Sequence, residues 1–219
     1  MPRFARLVVP GYPHHVTQRG SRRQVTFFSE SDYDSYIDLL AKNRVAAGVE
    51  IWAYCLMPNH VHLILVPRDV DGLSRLLRKT HSTYARQVNA ENGWCGHLWQ
   101  ERFHSFVMDE EHLIAAARYI ELNPVRANLC QRPMDWQWSS ARAHVLREFD
   151  RLMPSQPMLD RVDNWTLFLS ESNSACMNES IRLHTSNGRP AGAKRFLEEL
   201  EIRTGRRLSL RKPGPKPSN

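Results

Sequence analysis

The sequence predicts an α+β fold in which a ferredoxin-like antiparallel sheet carries helices on one face. The first observation is the order of the predicted elements, which runs strand, helix, two strands, helix, strand, helix. That order is the ferredoxin-like one with a single helix added. The second observation is size, because 219 residues with 42% hydrophobic content suffice for one principal domain with a real core and a smaller appendage.

Local patterns define the elements in turn. Strands are predicted over residues 14–19, 49–56, 60–66 and 103–108, and helices over residues 32–45, 71–88 and 110–122. Gly48 is expected to close the first helix, because glycine readily adopts the left-handed conformation found at helix ends. Met57-Pro58-Asn59 is compatible with a tight turn between the second and third strands.

The chain divides into a principal domain over residues 1–147 and a mostly helical or irregular C-terminal extension over residues 148–219. Residues 148–170 contain prolines and scattered aromatic residues without a clear period, which indicates a linker or an extended arm. Two short helices are plausible after it, near residues 174–184 and 191–203.

The end of the chain is basic. From residue 203 onward there is no acidic residue, and three prolines forbid a helix. Such a tail can lie along the phosphates of a polyanionic partner, although a solvated, disordered terminus is the alternative. The candidate phosphate contacts in this tail are Arg206, Arg207, Arg211 and Lys212.

Composition excludes several classes of protein. A formal charge of +7 and a pI near 9.5 favour a polyanionic partner. The sequence contains no apolar run near the roughly 18 residues that span a bilayer and no apolar signal segment, so we expect a cytoplasmic protein without a membrane partner. Four dispersed cysteines argue against a zinc knuckle or a disulfide scaffold. The sequence also lacks a phosphate-binding loop, so no nucleotide cofactor is expected.

His60 and His62 are the first candidate site residues. On a strand, side chains two residues apart point to the same face, so both imidazoles would project together. Neutral imidazoles are metal ligands. A single H-x-H pair is weak evidence, and the alternative is one buried and one exposed structural histidine. The strongly apolar strand that follows favours metal ligation, since an unpaired histidine there would carry a desolvation cost.

The helix near residues 110–122 supplies the second half of the predicted site. Tyr119 and Asn123 are four residues apart and share a helical face. If the histidines hold Mg²⁺ or Mn²⁺, with the Asn123 carboxamide as a third ligand, a phosphoryl oxygen can be polarised for attack by the Tyr119 phenol. On periodicity alone, an amphipathic structural tyrosine and a helix-ending asparagine are the alternatives.

Six runs of the sequence together resemble one family, the REP-associated tyrosine transposases, a branch of the single-tyrosine HUH transposases. The runs are HHVTQRGSRRQVTFF, AYCLMPNHVHLILVP, GLSRLLRKTHSTYARQVN, LWQERFHSFVMDEEHL, RYIELNPVRANL and WQWSSARAH. The resemblance covers about residues 10–146 and makes residues 1–147 the catalytic domain.

The resemblance implies an HUH endonuclease that cleaves and rejoins single-stranded or hairpin DNA, such as REP-like palindromes, with Mg²⁺ or Mn²⁺. It assigns metal binding to His60 and His62, and the nucleophile to Tyr119, which would form a 5′-phosphotyrosine. Related enzymes often carry glutamine where this chain has Asn123, which is one methylene shorter, so water could bridge Asn123 to the ion.

Separate groups must read the DNA, because every phosphodiester looks alike to the metal and the tyrosine. Candidates are Arg19, Arg22 and Arg23 after the first strand, and Arg102 between Trp99 and Phe103. Arg102 combines a phosphate or guanine donor with neighbouring rings on which unpaired bases could stack, although both rings could instead belong to the core.

The sequence is compatible with three functions. The leading one is a strand-cleaving and rejoining transposase, mobile or domesticated, which would associate with the nucleoid when bound to DNA. The second is a catalytically inactive regulator that binds hairpin DNA, and the third is a metal-dependent hydrolase that uses water. The sequence permits a monomer or a homodimer, with Tyr119 acting within its own chain or in a partner.

Overall fold

A computed structural model describes residues 6–208, which form a four-stranded antiparallel sheet in the order β2-β3-β1-β4 with helices on both sides. The strands are β1 (His14–Arg19), β2 (Val49–Met57), β3 (His60–Pro67) and β4 (His104–Val107). The helices are α1 (Glu30–Ala47), α2 (Gly72–Asn92), α3 (Glu110–Glu121), α4 (Asn123–Arg126), α5 (Ala141–Leu146), α6 (Trp165–Ser170), α7 (Ala175–Asn187) and α8 (Lys194–Thr204). The predicted α+β class is confirmed, and every predicted strand and helix is present, with ends displaced by at most four residues.

The predicted end of α1 at Gly48 and the predicted tight turn between β2 and β3 are both confirmed. Gly48 ends α1 in the left-handed conformation, with φ of 63°. At the start of the same helix, Ser29 and Asp32 form a capping box that satisfies free backbone N–H groups. The hairpin places Met57 opposite His60, so the turn between β2 and β3 is tight.

The expectation that the helices lie on one face of the sheet is wrong. On the first face, side chains such as Leu63 and Leu65 of β3 pack against α1 and α2. On the second face, Ile64 of β3 packs against α3 and against residues of the C-terminal extension. The apolar run of β3 explains this, since a strand that is hydrophobic at successive positions is covered on both sides.

Residues 148–170 are packed onto the core, in contrast to the predicted linker or extended arm. Leu152 and Met153 are buried with α1 and α2, whereas Met158 and Trp165 are buried on the second face. The chain here is mostly irregular before α6, so its buried side chains follow no period that a sequence pattern could detect. The extension therefore contributes to both hydrophobic cores.

Trp138 belongs to the hydrophobic core, and the half-buried Trp136 packs against it. The Trp138 ring stacks on Tyr33 with 4.7 Å between ring centroids, and the Trp136 indole donates a hydrogen bond to the Leu56 carbonyl. The Leu56 amide in turn donates to the Trp138 carbonyl at 2.9 Å, which covers the outer edge of β2. No helix among residues 6–208 is long and apolar enough to cross a membrane.

A buried polar cluster joins α3 to α5 on the second face. The Glu121 carboxyl accepts hydrogen bonds from His144 Nδ1 at 2.6 Å and from the Ser140 hydroxyl at 2.5 Å. The side chains of Glu121 and His144 are fully buried. Because Ser140 also binds the Tyr54 backbone of β2, the cluster anchors the end of α3 to the sheet.

Replacing Glu121 by leucine should lower the free energy of unfolding by about 3–5 kcal/mol, because the buried His144 would lose its acceptor and Ser140 would keep only its longer contact with the Tyr54 carbonyl. Urea unfolding followed by circular dichroism measures the change. Glu148→Leu is the matched control: Glu148 pairs with Arg142 at the surface, so its loss should cost at most about 1 kcal/mol. Equal effects of the two substitutions would show that the buried cluster does not stabilise the fold.

Candidate metal and tyrosine site

His60 and His62 project together from the second face of the sheet. Their ring centroids are 4.9 Å apart, and only 6% of His62 is exposed. Burial lowers the pKa of His60 to about 4, with a further contribution from Arg19. Burial also holds the pKa of His62 well below its usual value, and the neighbouring His60 and His15 add to the effect. Both rings are therefore neutral at pH 7, which is the form that can bind a metal ion.

Tyr119 lies against His62 within the same chain. Helix α3 crosses the second face and presents the half-buried Tyr119 ring edge-on to His62, with 5.9 Å between ring centroids. The structure thus brings together the tyrosine and one of the two histidines that the sequence singled out. A single chain is sufficient to form this contact.

Asn123 is one turn beyond Tyr119, but its carboxamide oxygen is already bonded. Helix α3 ends at Glu121, and the one-turn helix α4 begins at Asn123 with Pro124 in its first turn. Arg126 donates a hydrogen bond to Asn123 Oδ1 at 2.9 Å. The Asn123 amide nitrogen is buried without a hydrogen-bond partner among residues 6–208. In this arrangement the oxygen predicted as a metal ligand is held by a guanidinium, and its ligation stays a prediction.

Arg126 is a site residue that sequence analysis missed. Its guanidinium carbon lies 4.1 Å from the Tyr119 ring centroid, and the same group donates to the Tyr119 carbonyl at 2.8 Å. Burial lowers the pKa of Arg126, yet a guanidinium stays charged at neutral pH. The site therefore holds a positive charge beside the tyrosine. The arginine three residues after Asn123 was visible in the sequence, but nothing there indicated that it folds back onto Tyr119.

His15 is the second missed residue. Its ring is 1% exposed, lies nearly parallel to the His62 ring with 5.2 Å between centroids, and is 6.4 Å from the Tyr119 ring. His15 Nε2 and His62 Nδ1 are 3.0 Å apart, at hydrogen-bond distance. The first strand was predicted correctly, but the strand register that brings His15 next to His62 cannot be deduced from the sequence of either strand.

The donor set fits an ion held by two imidazoles. Among residues 6–208 there is no group of three or more His, Cys, Asp or Glu side chains that could hold a metal ion. Mg²⁺ commonly keeps several waters and binds substrate phosphate oxygens, so two protein ligands are compatible with it. His60 and His62 would hold such an ion.

Three of the predicted DNA-binding arginines lie at the edge of the site. Arg19 is exposed at the end of β1, opposite His60 in the strand register. Arg22 and Arg23 follow in a short 3-10 turn and are exposed, with positive φ angles of 55° and 62°. Gly20 permits this turn, since an added Cβ would lie 2.4 Å from the Gln24 carbonyl oxygen.

Arg102 lines a cavity of about 410 Å³ on the α2 side of the sheet. The cavity has an apolar part that includes Trp99 and Phe103, and its basic side chains include Arg6 and Arg78. The Arg6 guanidinium carbon lies 3.5 Å from the Phe103 ring centroid. Burial, together with the nearby Arg102 charge, lowers the pKa of Arg6 to about 10. Trp99 packs against the core with one side and contributes to the cavity with another.

The predicted basic tail is only partly described. Arg206 donates a hydrogen bond to the Arg6 carbonyl at 3.2 Å, and Arg207 is exposed. Arg211 and Lys212 lie outside the described residues.

Comparison with known proteins identifies the family. A family model described as "Transposase IS200 like" matches residues 8–123, which is more than half of the chain. A Haemophilus influenzae protein described as "Putative REP-associated tyrosine transposase" is 26% identical over 110 residues. That alignment covers 45% of this chain and 62% of the relative, so it spans less than two thirds of the relative's length.

A solved structure described as a REP-associated tyrosine transposase bound to a REP hairpin has the same fold. It superposes with a TM-score of 0.58 at 21% sequence identity, and the match covers 69% of this chain and 90% of that one. The fold match agrees with the family model, and the resemblance inferred from the sequence is confirmed. The chain belongs to the IS200-like transposase family.

Proposed function

We propose that this protein cleaves and rejoins single-stranded or hairpin DNA, such as a REP-like palindrome, through a covalent 5′-phosphotyrosine at Tyr119. The observation that carries the proposal is the edge-on contact between Tyr119 and the buried, neutral His62 within one chain. The family assignment supports a transposase, and the hairpin in the related structure supports DNA of this kind as the partner.

The proposed reaction conserves the energy of the phosphodiester bond. The Tyr119 oxygen attacks a backbone phosphorus and loses its proton, while the bond from phosphorus to the 3′-oxygen breaks and that oxygen gains a proton. A 3′-hydroxyl can later attack the phosphotyrosine and release Tyr119. Arg126 places a guanidinium beside the tyrosine, where it can bind the phosphate that is being attacked.

The histidines supply the place for a divalent cation. Mg²⁺ or Mn²⁺ held there would polarise the phosphoryl oxygen and compensate its growing negative charge. His60 and His62 contribute neutral nitrogens on a rigid strand, and the surrounding apolar core keeps them neutral. Catalysis of phosphoryl transfer rests largely on such positioning and electrostatics.

The cavity around Arg102 suits an unpaired nucleotide of the same DNA. Its volume is within the range of small-ligand pockets, and it combines ring surfaces with guanidinium groups. The cavity residue Trp99 pairs with Gly20 just beyond β1, and β1 ends opposite His60. A DNA strand that passes the end of β1 could therefore reach both the cavity and the candidate site.

A hairpin-binding regulator without cleavage activity is the alternative function. The observation that favours it is the bond between Asn123 Oδ1 and Arg126, which leaves two rather than three protein ligands for a cation. The following experiment separates this alternative from the proposed transposase.

Tyr119→Phe should abolish the covalent protein–DNA adduct and leave hairpin binding unchanged, because only the attacking oxygen is removed. The measurement is a denaturing gel of full-length protein incubated with labelled hairpin DNA and Mn²⁺. Tyr12→Phe is the matched control at a tyrosine bonded to Glu199 outside the site, and it should keep the adduct. An adduct that persists in Tyr119→Phe would exclude this nucleophile, and binding without any adduct in the native protein would favour the regulator.

Arg102→Ala should weaken binding of a hairpin with a single-stranded extension by about 1–3 kcal/mol, where 1.4 kcal/mol is tenfold in affinity. Binding of a blunt hairpin should change little, because it has no unpaired base to place in the cavity. Fluorescence anisotropy at fixed salt compares the two DNAs. Arg195→Ala removes an exposed arginine on α8 and controls for net charge. An equal loss for both hairpins would count against base binding in the cavity.

Replacing Arg211, Lys212 and Lys216 by glutamine should flatten the salt dependence of hairpin binding. Each phosphate contact that is lost lowers the slope of log affinity against log salt by about 0.9. Titrations at several salt concentrations measure the slope. An unchanged slope would show that these three tail residues do not contact the phosphates.

A further inference from the structure

Each candidate metal histidine has its Nδ1 engaged by a neighbouring side chain. His60 Nδ1 lies 2.6 Å from Asn59 Oδ1, and His62 Nδ1 lies 3.0 Å from His15 Nε2. A neutral imidazole carries one N–H and one lone pair, and only the nitrogen with the lone pair can bind a metal ion. The neighbours therefore decide which nitrogen is available.

The His60 tautomer follows from the two bonds of Asn59. The Asn59 amide nitrogen donates to the Arg23 carbonyl at 3.0 Å, and a carbonyl can only accept. This bond fixes the orientation of the Asn59 side chain, so that its oxygen faces His60. Because that oxygen can also only accept, His60 Nδ1 must carry the hydrogen. The Nε2 lone pair of His60 is then free for a ligand.

The His62 tautomer follows from a chain of bonds that ends in α7. The Thr185 hydroxyl lies 2.8 Å from the Ile181 carbonyl, which can only accept, so the hydroxyl hydrogen points there. Thr185 Oγ1 lies 3.5 Å from His15 Nδ1 and must act as the acceptor in that contact. His15 Nδ1 therefore carries the hydrogen.

The remaining nitrogen of His15 then fixes His62. The His15 ring is 1% exposed, and the rings packed against it, such as Phe106, carry no carboxylate that would stabilise a charged imidazole. The ring is therefore neutral and has a single N–H. With its hydrogen on Nδ1, His15 Nε2 has a lone pair and accepts from His62 Nδ1–H. His62 Nε2 keeps its lone pair. The reverse direction would put the hydrogen on His62 Nε2, and it would need the Thr185 hydroxyl to abandon its shorter bond.

We infer that Thr185 and Asn59 are positioning residues that hold His62 and His60 as Nδ1–H tautomers, so that both Nε2 lone pairs are available to a divalent cation. Thr185 acts through His15, whereas Asn59 acts directly. The use of the lone pairs rests on the proposed function, but the tautomers themselves do not. Thr185 also lies beyond residues 8–123, so the C-terminal extension completes a site built in the family domain.

Nuclear magnetic resonance tests the tautomers directly. Two-bond proton–nitrogen correlation spectra of the metal-free, full-length protein with ¹⁵N-labelled histidine distinguish protonated ring nitrogens from those with a lone pair. Substitution of single histidines assigns the signals. We expect Nδ1 protonated and Nε2 unprotonated in His60, His62 and His15. A protonated Nε2 in His62 would overturn the inference, whatever the activity of the protein.

Thr185→Val tests the role of the hydroxyl, since valine keeps the shape of threonine. We expect the His62 signals to shift toward the other tautomer and Mn²⁺ affinity, measured by calorimetry, to fall about 10-fold or more. Thr185→Ser retains the hydroxyl and should restore both properties. Unchanged spectra and unchanged Mn²⁺ affinity in Thr185→Val would refute the positioning role.

Two outcomes separate this inference from the proposed function. If Tyr119 forms the adduct but His62 has Nε2 protonated, the inference fails and the proposed function stands. If the tautomers are as expected but no adduct forms, the proposed function fails and the inference stands. Should Thr185→Val not fold, the spectra of the native protein still decide the tautomers.

Discussion

The burial of β3 on both faces is the constraint on which the rest of the structure depends. Side chains of a strand alternate between faces, so Leu63 and Leu65 pack toward α1 and α2 while His62 and Ile64 face α3 and α7. An imidazole placed in such a layer is cut off from water. The same covering that stabilises the sheet therefore keeps the histidines neutral, which is the form that can bind a metal ion.

A buried imidazole must also have hydrogen-bond partners. An unpaired buried donor or acceptor costs about 1–3 kcal/mol. His15 is the hydrogen-bond partner of His62 Nδ1, and Thr185 contacts the other nitrogen of His15. The bond that satisfies His62 Nδ1 is therefore also the one that determines the His62 tautomer. The hydrogen bond that the buried ring requires is thus the same one that the proposed metal binding requires. The buried Asn123 amide nitrogen lacks a hydrogen-bond partner among the described residues. The region next to Tyr119 therefore contains a buried polar group whose hydrogen bond is not made.

The sequence was sufficient for what local spacing controls. Strand period placed His60 and His62 on one face, and helical period placed Tyr119 on a helix that packs over them. The sequence was insufficient to predict contacts that depend on strand register and long-range packing. His15 and Thr185 are separated by 170 residues, and no local pattern relates them. The prediction of a linker or extended arm over residues 148–170 was also wrong. Leu152 and Met158 are buried there as isolated positions in an irregular segment, without the periodic spacing that marks a helix or strand.

The tyrosine helix is fixed from two sides, and this bears on how the site is assembled. One side of α3 packs on the sheet through residues such as Ile120, and Glu121 binds the α5 cluster. On the other side, Arg118 donates to the Phe168 carbonyl at 3.0 Å and to Asn173 at 3.2 Å, both in the extension. Moving α3 to a partner chain would break these contacts unless the extension moved with it. In this chain, the extension that positions His62 also holds Tyr119 against it.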